Sequence, residues 1–367
     1  MARSPVAVLA SDWHLAPGAW KRNPAIAGDA YLGLDQAVNA CLERQVPMVA
    51  PGDLFDVNHP DAWSLYSARL ALDRMTRSGL SVYHVQGQHE YQHPVPILNA
   101  IHPHAVHVHK ALFRLGPLRL VGLDYMPPDQ LRAEFADMGV RENADVLVTH
   151  QVWRNLVPWR QNAPTFEEIP YRVTVSGDFH QHGVWQYDGP SGRGLFMSPG
   201  TLCMQALDEP PQKFVYVLYD DLTFDSVPLL VRPFHSLVVQ TADELEQAVA
   251  DAQKLCYHPP DLPPRIQRPI VRVRYADHIP EAVARLEAAL APAHAFLEAF
   301  KLEAEPAEPA ERSPMGDQAL VTCLARLRDP STPAYRDTIR LLDAADVPAE
   351  IAAIVSTFQV GEDGRAS

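Results

Sequence analysis

The chain has 367 residues and is 47% hydrophobic and 21% charged, which is typical of a folded protein of more than one domain and excludes a disordered one. Its formal net charge of -14 comes from 31 basic and 45 acidic residues, and at face value it argues against binding to nucleic-acid phosphates. No apolar run has the length of a transmembrane helix and no signal peptide is recognised, so we expect no membrane partner.

Short apolar runs alternate with amphipathic stretches through the first half of the chain. Two stretches, 34–45 and 61–78, have apolar residues at helical spacing and predict helices. The runs that predict buried strands are 6–10, 47–50, 80–85, 145–149 and 172–175. Because strands and helices alternate, we predict a layered α/β domain in which ligands bind where the strands end.

The second half begins with a β-rich stretch and continues as a smaller unit. Strands are predicted at 184–187, 195–197, 214–219 and 226–231. Thr241 and Glu244 then form a capping-box pattern, which predicts the start of a helix. A strand at 270–275, a helix at 280–291 and a strand at 296–302 complete a small α/β unit.

An acidic stretch punctuated by proline follows this unit and indicates a linker, and short amphipathic helices are predicted after it. We therefore expect a main α/β domain, an α/β capping domain, a linker and a C-terminal helical segment, at 1–235, 236–302, 303–315 and 316–367. The four cysteines lack metal-site spacing, which favours reduced thiols in a cytoplasmic setting.

Clusters of polar residues follow five of the predicted strands. They are Asp12-Trp13-His14, Gly52-Asp53-Leu54-Phe55-Asp56, Gly87-Gln88-His89-Glu90, Thr149-His150 and Gly177-Asp178-Phe179-His180. Because parallel strands end along one edge of a sheet, we expect these side chains to meet. Carboxylate, imidazole and amide ligands suit Mn²⁺ or Mg²⁺ better than a thiolate zinc site. A shared carboxylate can bridge two such ions about 3.5–4 Å apart, and the pair can clamp a phosphoryl displacement.

These clusters resemble the calcineurin-like metallophosphoesterases, whose pattern is DxH, GDxxD, GNH[DE], H and GHxH. The resemblance implies a β-sandwich flanked by helices, and two divalent metal ions, Mn²⁺ being expected and Mg²⁺ the alternative. It implies phosphodiester hydrolysis by a metal-bridging water or hydroxide. The residues implied for the first metal are Asp12, His14, Asp53 and His180, with Asp53 bridging. Those implied for the second metal are Gln88, His150 and Asp178.

The resemblance also implies two residues that act on the leaving group. His89 is expected to stabilise or protonate the leaving oxygen, and Asp56 to orient His89 as a carboxylate–imidazole pair. Two positions depart from the family pattern: Gln88 stands in place of the asparagine of GNH[DE], and Asp178 stands in place of the first histidine of GHxH. Both fall on the second metal, so we expect the first site to bind metal strongly and the second more weakly.

Within this family the chain is most similar to the nuclease subunits of SbcCD-type recombination complexes, including the phage versions. This resemblance is carried by the stretches Ser-Asp-Trp-His-Leu, Gly-Asp-Leu-Phe-Asp-Val and Ser-Gly-Asp-Phe-His and by the Ser198-Pro199-Gly200-Thr201 run. It covers about 1–235, and beyond that only the order of domains agrees. It implies a DNA exo- and endonuclease, an SbcC-type coiled-coil ABC ATPase bound through the C-terminal helices, and a homodimer of nuclease subunits. The location it implies is the cytoplasm of a bacterial or phage-infected cell.

The distribution of charge weakens the objection raised by the net charge. Residues 1–200 hold 16 basic and 19 acidic residues, so most of the acidity lies in the later part of the chain. The predicted capping domain carries a basic cluster, which is either a solvated strand face or a contact to the DNA backbone. Its members are Arg265, Arg268, Arg272 and Arg274. We expect the isolated chain to bind DNA weakly and in a salt-dependent manner.

For several other residues, a structural role is at least as well supported as a functional one. A histidine tract at 102–109 resembles a metal tract, but its alternating spacing favours a strand or loop that leads to a hairpin. Tyr125 and Trp153 could stack on a base, although aromatic residues beside strand ends are more often packing residues. The rival functions are a small-molecule, nucleotide-type phosphoesterase and a scaffold that binds metal without turnover.

Overall fold

The computed structural model describes residues 3–16, 28–90, 95–137, 144–206, 209–254, 262–276, 278–279, 281–293 and 295–301. The predicted linker at 303–315 and the predicted C-terminal helices therefore lie outside the described residues, as does Pro280 at the start of the predicted helix at 280–291. No helix among the described residues is long and apolar enough to cross a membrane.

The described residues contain strands that form three sheets. In chain order they are β1 (Pro5–Leu9), β2 (Met48–Pro51), β3 (Val82–Val85), β4 (Ala105–His107), β5 (Leu112–Leu115), β6 (Leu118–Leu123), β7 (Val146–His150), β8 (Val173–Gly177), β9 (Gly183–Gly189), β10 (Gly192–Ser198), β11 (Phe214–Tyr219), β12 (Phe224–Pro228), β13 (Phe234–Val239), β14 (Ile270–Tyr275) and β15 (Phe296–Lys301). The helices are α1 (Asp29–Arg44), α2 (Ala62–Arg77), α3 (Ile97–Ile101), α4 (Pro128–Ala136), α5 (Ala242–Lys254), α6 (Pro264–Gln267) and α7 (Ala282–Leu290).

Two six-stranded sheets form the centre of the fold. The first has the order β12-β11-β1-β2-β3-β4 and the second the order β5-β6-β7-β8-β10-β9. In the first sheet β1, β2, β3 and β4 are parallel, and in the second β6, β7, β8 and β10 are parallel. Parallel order places the carboxyl ends of these strands along one edge of each sheet, which is where ligands bind in such folds.

The two sheets pack face to face through aliphatic side chains. Leu9, Val49 and Val85 from the first sheet lie in one buried cluster with Val148 and Val175 from the second. The outer face of the first sheet is covered by α1 and α2, because Leu34, Val38 and Leu72 are buried against it. The outer face of the second sheet carries a separate aromatic cluster that includes Trp153, Phe166 and Phe196. The predicted layered α/β class is confirmed.

The three remaining strands form a small parallel sheet in the order β13-β14-β15. Val271 and Val273 point to one face, where they are buried with Leu245 of α5 and Leu286 of α7. Arg272 and Arg274 alternate with them and therefore lie on the opposite face. A buried ion pair joins this unit to α1, because the Arg232 guanidinium donates to the Asp29 carboxylate at 2.9 Å and to the carbonyl of Arg268.

Most predicted elements are confirmed, and their ends differ by a few residues. The predicted strand at 226–231 is β12, which lies earlier in the chain because it pairs with β11 through a tight turn that ends at Thr223. Half of the capping box at Thr241 is present: the Glu244 N–H donates to the Thr241 side chain at 3.2 Å, whereas the Glu244 carboxylate accepts from the Gln240 N–H at 2.6 Å. The strands β4, β5, β6 and β13 were not individually predicted, because their apolar runs are short or interrupted.

Candidate metal centre

The polar clusters expected to meet do so at the carboxyl edges of the two central sheets. Asp12 and His14 follow β1, Asp53 follows β2, His150 ends β7, and His180 follows β8. Within the described part of the chain, three groups of side chains have ligand atoms within 4.8 Å of one another. They are Asp12 with His14 and His180, His14 with Asp53 and His89, and Asp12 with Asp53 and His150. Asp53 therefore lies between the histidines of the first sheet and the histidine of the second.

The backbone at these strand ends is in an unusual conformation. Among the described residues, seven non-glycine residues have φ in the left-handed region, and four of them are Asp12, His14, Asp53 and Asp178, with φ of 47°, 42°, 48° and 80°. Such conformations destabilise a non-glycine residue and persist only where surrounding contacts enforce them. The concentration of strain at one set of carboxylates and imidazoles indicates a functional site.

Glycines of the motifs give these side chains room. A Cβ on Gly87 would lie 2.0 Å from Asp53 Oδ1, and a Cβ on Gly177 would lie 2.5 Å from His150 Nδ1. Gly52, at φ of 87°, is equally close to the His150 ring. The glycine in each motif is therefore required by close approach to a neighbouring ligand, and at Gly52 also by the backbone conformation.

One pair of atoms shows why these residues fit a metal ion. His150 Nδ1 donates its hydrogen to the carbonyl of Pro51 at 2.7 Å, which leaves Nε2 of the neutral ring as an acceptor. That nitrogen faces the Asp53 Oδ2 oxygen across 3.2 Å, and both atoms are buried without a hydrogen-bond partner. Two facing acceptors repel unless a proton or a cation lies between them.

The electrostatics of this pair agree with that reading. Although burial disfavours the imidazolium, the Asp53 carboxylate raises the pKa of His150 to about 10. Burial also opposes ionisation of Asp53, but His150 lowers the pKa of this carboxyl well below its usual range. Both pKa shifts show that this buried, carboxylate-rich centre stabilises positive charge, which a divalent cation would supply.

A second pair of facing nitrogens lies on the other side of Asp12. His14 Nε2 and His180 Nε2 are 3.2 Å apart, and His180 Nδ1 donates to the Glu209 carboxylate at 2.7 Å. The Asp56 carboxylate lies 3.5 Å from His14 Nδ1. Glu209 favours the His180 tautomer whose Nε2 carries a lone pair, whereas His14 Nδ1 is buried without a hydrogen-bond partner. Either a hydrogen on His14 Nε2 or a cation between the two nitrogens satisfies this pair.

His89 is positioned through the backbone of the Asp53 loop. Its Nδ1 donates to the backbone carbonyl of Asp56 at 2.6 Å, and its own N–H donates to Asp53 Oδ1 at 3.0 Å. The contact between His89 and Asp56 is thus made by the Asp56 carbonyl, whereas a carboxylate–imidazole pair was expected. Nε2 of His89 remains directed at the centre, 3.7 Å from Asp53 Oδ2.

The two departures from the family pattern occupy different positions. Asp178 lies at the centre: its Oδ1 is 3.8 Å from His150 Nε2, and its N–H donates to Asp12 Oδ1 at 3.1 Å. Burial raises the pKa of the Asp178 carboxyl. Gln88 is exposed and lines a pocket beside the centre.

Two buried carboxylates support the centre and were not singled out from the sequence. Glu90 accepts the N–H of Phe55 at 2.7 Å and so fixes the loop that carries Asp53; burial raises its pKa to about 8. Glu209 holds His180 and also accepts from Lys213 Nζ at 2.6 Å. Burial on its own would raise the pKa of Glu209, but the contacts with His180 and Lys213 lower it to about 2. Glu90 lies within the Gly87-Gln88-His89-Glu90 cluster, whereas Glu209 belongs to no motif that the sequence shows.

The histidine tract and the arginine cluster lie apart from the centre. At the end of α3, His102 Nε2 is 3.1 Å from Asp73, and in β4, His107 Nε2 is 2.9 Å from Asp124, so these imidazoles make structural contacts with carboxylates. Trp153 is buried and its indole N–H donates to Ser176 Oγ, so this residue packs in the interior and is not exposed for base stacking. Arg268 lies over the Phe296 ring at 4.2 Å. Arg265 lies in α6, and its side chain is outside the described residues.

No protein-family model matches the chain, and no curated protein matches it. A match among solved structures is an archaeal protein described as a novel phosphodiesterase. It is 11% identical, aligns with 61% of this chain and 99% of its own length, and has a TM-score of 0.34. A likeness at this level does not transfer function, so the activity must be inferred from the residues of the centre. Those residues form a candidate site for a divalent metal ion.

Proposed function

We propose that this chain is a metal-dependent phosphodiesterase of the calcineurin-like type that cleaves DNA, as the nuclease subunit of an SbcCD-type repair and recombination complex. The observation that carries the proposal is the facing of His150 Nε2 and Asp53 Oδ2, both buried and unpartnered, at the meeting point of two sheet edges. An arrangement of this kind is stable only with positive charge between the atoms.

The side chains divide into those that would hold metal and those that would act on substrate. Asp12, His14 and His180 would hold one ion, His150 and Asp178 the other, and Asp53 would contact both. Two divalent ions, Mn²⁺ or Mg²⁺, would supply Lewis-acid polarisation of the phosphoryl oxygens and lower the pKa of water. The ligand set has imidazole and carboxylate donors without thiolates, which suits either ion.

His89 is the residue placed to handle the proton of the leaving group. Because its Nδ1–H is engaged by the Asp56 carbonyl at 2.6 Å, Nε2 is the nitrogen that faces the centre. A protonated Nε2 can donate to the oxygen that departs when the phosphodiester bond breaks. Fixing Nδ1 through the backbone orients the ring without adding a charge to it.

DNA contact is proposed for the face of the small sheet that carries Arg272 and Arg274. Arg272 is half-buried and Arg274 is exposed on β14, and the Arg272 guanidinium lies 5.7 Å from the ring of Phe300 on β15. Paired arginines beside an aromatic ring suit the sugar–phosphate backbone. The SbcC-type ATPase partner and the homodimer remain proposals, because the helices expected to bind the ATPase lie outside the described residues.

The test is Mn²⁺-dependent degradation of linear DNA by the full chain. We expect Asp53→Ala to abolish both metal binding and cleavage, since this carboxylate belongs to two of the ligand groups. We expect His89→Ala to retain Mn²⁺ and to lose roughly 10²–10⁴-fold in cleavage rate. Hydrolysis of small phosphoesters without any activity on DNA would favour the small-molecule phosphoesterase. Metal binding without turnover on either substrate would favour the scaffold.

A further inference from the structure

A pocket of about 390 Å³ opens directly beside the candidate metal centre. Gln88 and Gln151 form its inner wall, and each is the chain neighbour of a residue of the centre, His89 and His150 respectively. Its outer wall comes from the segment between β7 and β8 and includes Trp159. The volume lies in the range of small-ligand sites and is far too small for a duplex.

The outer wall is held in place by the fold. Trp153 packs against Phe166 and Phe196, and its indole N–H donates to Ser176 Oγ at 3.0 Å. The Arg154 N–H donates to the carbonyl of Pro164 at 2.9 Å, which closes the base of the segment. The side chain of Trp159 is nevertheless 75% exposed. An exposed indole beside the metal centre offers a flat surface to a ligand.

The lining has a distinctive chemistry. Two aromatic rings, Tyr125 and Trp159, face a pocket whose other polar lining residues are four side-chain amides and one guanidinium. These are Gln88, Gln151, Gln161, Asn162 and Arg160. None of the described lining residues is acidic, in contrast to the carboxylates of the metal centre. The amide of Gln151 is fixed by donation to the Met126 carbonyl at 2.7 Å.

We infer that this pocket binds an unpaired nucleobase of the DNA strand, next to the phosphodiester held at the metal centre. A nucleobase has a flat π face for stacking on an indole and an edge of donors and acceptors for amides. It is uncharged and aromatic, which suits a lining of side-chain amides and aromatic rings. The inference rests on the proposed function and adds that the substrate is a frayed or single-stranded end, because a paired base cannot enter the pocket.

The test combines one protein change with one change in the DNA. Trp159→Ala is compared with the unchanged chain on single-stranded oligonucleotides, either intact or abasic at the nucleotide that flanks the cleaved bond. We expect the unchanged chain to lose on the order of ten-fold in kcat/KM on the abasic strand, and Trp159→Ala to lose as much on the intact strand. We expect little further loss when both changes are combined. Trp63→Ala removes another exposed tryptophan, on α2, and should leave kcat/KM unchanged.

Binding of the same labelled oligonucleotides in EDTA gives a readout that does not require turnover. Trp159→Ala should weaken binding of the intact strand by on the order of ten-fold and leave binding of the abasic strand unchanged. Equal loss on both strands, or no loss on either, would overturn the inference. An inactive unchanged chain that still discriminates the abasic strand would refute the nuclease proposal and retain the base pocket. Trp159→Phe should restore most of the affinity, because a smaller ring can still stack.

Discussion

His180 Nδ1 donates a hydrogen bond to the buried carboxylate of Glu209 across 2.7 Å, and Lys213 Nζ approaches the other oxygen of that carboxylate at 2.6 Å. One carboxylate therefore fixes the tautomer of a candidate metal ligand and neutralises a buried lysine. Partners of this kind orient metal-binding histidines and raise their basicity. Glu209 is thus a positioning residue of the centre although it need not touch metal.

We expect Glu209→Gln to lower Mn²⁺ affinity by roughly 10–100-fold, because His180 loses its anionic partner. It should also destabilise the fold by about 3–5 kcal/mol, because the buried Lys213 ammonium loses its counterion. Calorimetric titration with Mn²⁺ and urea unfolding measure the two effects. Adding Lys213→Met should recover stability without recovering affinity, and Glu167→Gln, at an exposed carboxylate, is the matched control. Unchanged Mn²⁺ affinity in Glu209→Gln would contradict the positioning role.

Gly87→Ala should disrupt the centre. Its Cβ would lie 2.0 Å from Asp53 Oδ1 and 2.3 Å from the Asp53 nitrogen, so the Asp53 loop must move. We expect loss of Mn²⁺ binding and a drop in unfolding free energy of more than about 2 kcal/mol. Gly79→Ala places a Cβ in open space at φ of 72°, and should show only the strain of that conformation, about 1 kcal/mol. A Gly87→Ala chain that binds Mn²⁺ normally would refute the close-approach argument.

The buried imidazole of His84 should make the metal-free fold less stable in acid. Burial lowers the pKa of His84 to about 4, against an ordinary value near 6.5. The unfolded state therefore binds the proton more readily, so stability is complete above about pH 6.5 and is lost as pH falls toward 4. The contribution is at most about 3 kcal/mol. Urea unfolding in EDTA at several pH values should show a shallower acid slope for His84→Gln, and no change for the exposed His59→Gln.

The two arginines on β14 should govern the salt dependence of DNA binding. If Arg272 and Arg274 each contact a phosphate, the double change to alanine should reduce the slope of log affinity against log salt by about 2. Fluorescence anisotropy with labelled DNA between low and moderate salt measures it. Arg285→Ala removes a partly exposed arginine of α7 that pairs with Glu246, and should leave the slope unchanged. Tight binding by the isolated chain that salt does not weaken would contradict the proposed contact.

Mn²⁺ binding should occur in two unequal steps. Asp178 lies 3.8 Å from His150 Nε2 and has a shorter reach than histidine, while Gln88 is exposed at the edge of the centre. We expect the combined change of Gln88→Asn and Asp178→His to strengthen the weaker step on the order of ten-fold, a gain of about 1.4 kcal/mol. Asn39→Gln on α1 is an amide change remote from the centre and serves as the control. Two equally tight steps in the unchanged chain would contradict the expectation.

Periodicity predicted the strands that position the centre and missed those that only complete the sheets. The runs that became β1, β2, β7 and β8 are continuous and buried on both faces, so their pattern is strong. β5 is a four-residue strand with partly exposed side chains, and only its pairing with β6 makes it a strand. Short edge strands depend on their neighbours and not on their own composition.

The sequence predicts which strand ends meet at the site, but it does not predict the individual contacts between their residues. Asp12, Asp53 and His150 were predicted to meet because parallel strands end at one edge, a relation that depends on topology alone. The partner of His89 on Asp56 is a carbonyl, and that depends on the direction of the backbone after the left-handed Asp53. A spacing of three residues cannot distinguish a carbonyl from a carboxylate.

Periodicity and strand order are enough to predict the layered α/β class and the set of carboxylates and imidazoles at the strand ends. In contrast, the contact of Glu209 with His180 and the exposed position of Trp159 beside the centre follow from the folded arrangement of the domain. These relationships join segments that are distant in the chain or that lack regular periodicity. Their geometry is fixed by packing of the whole domain, which no local pattern encodes.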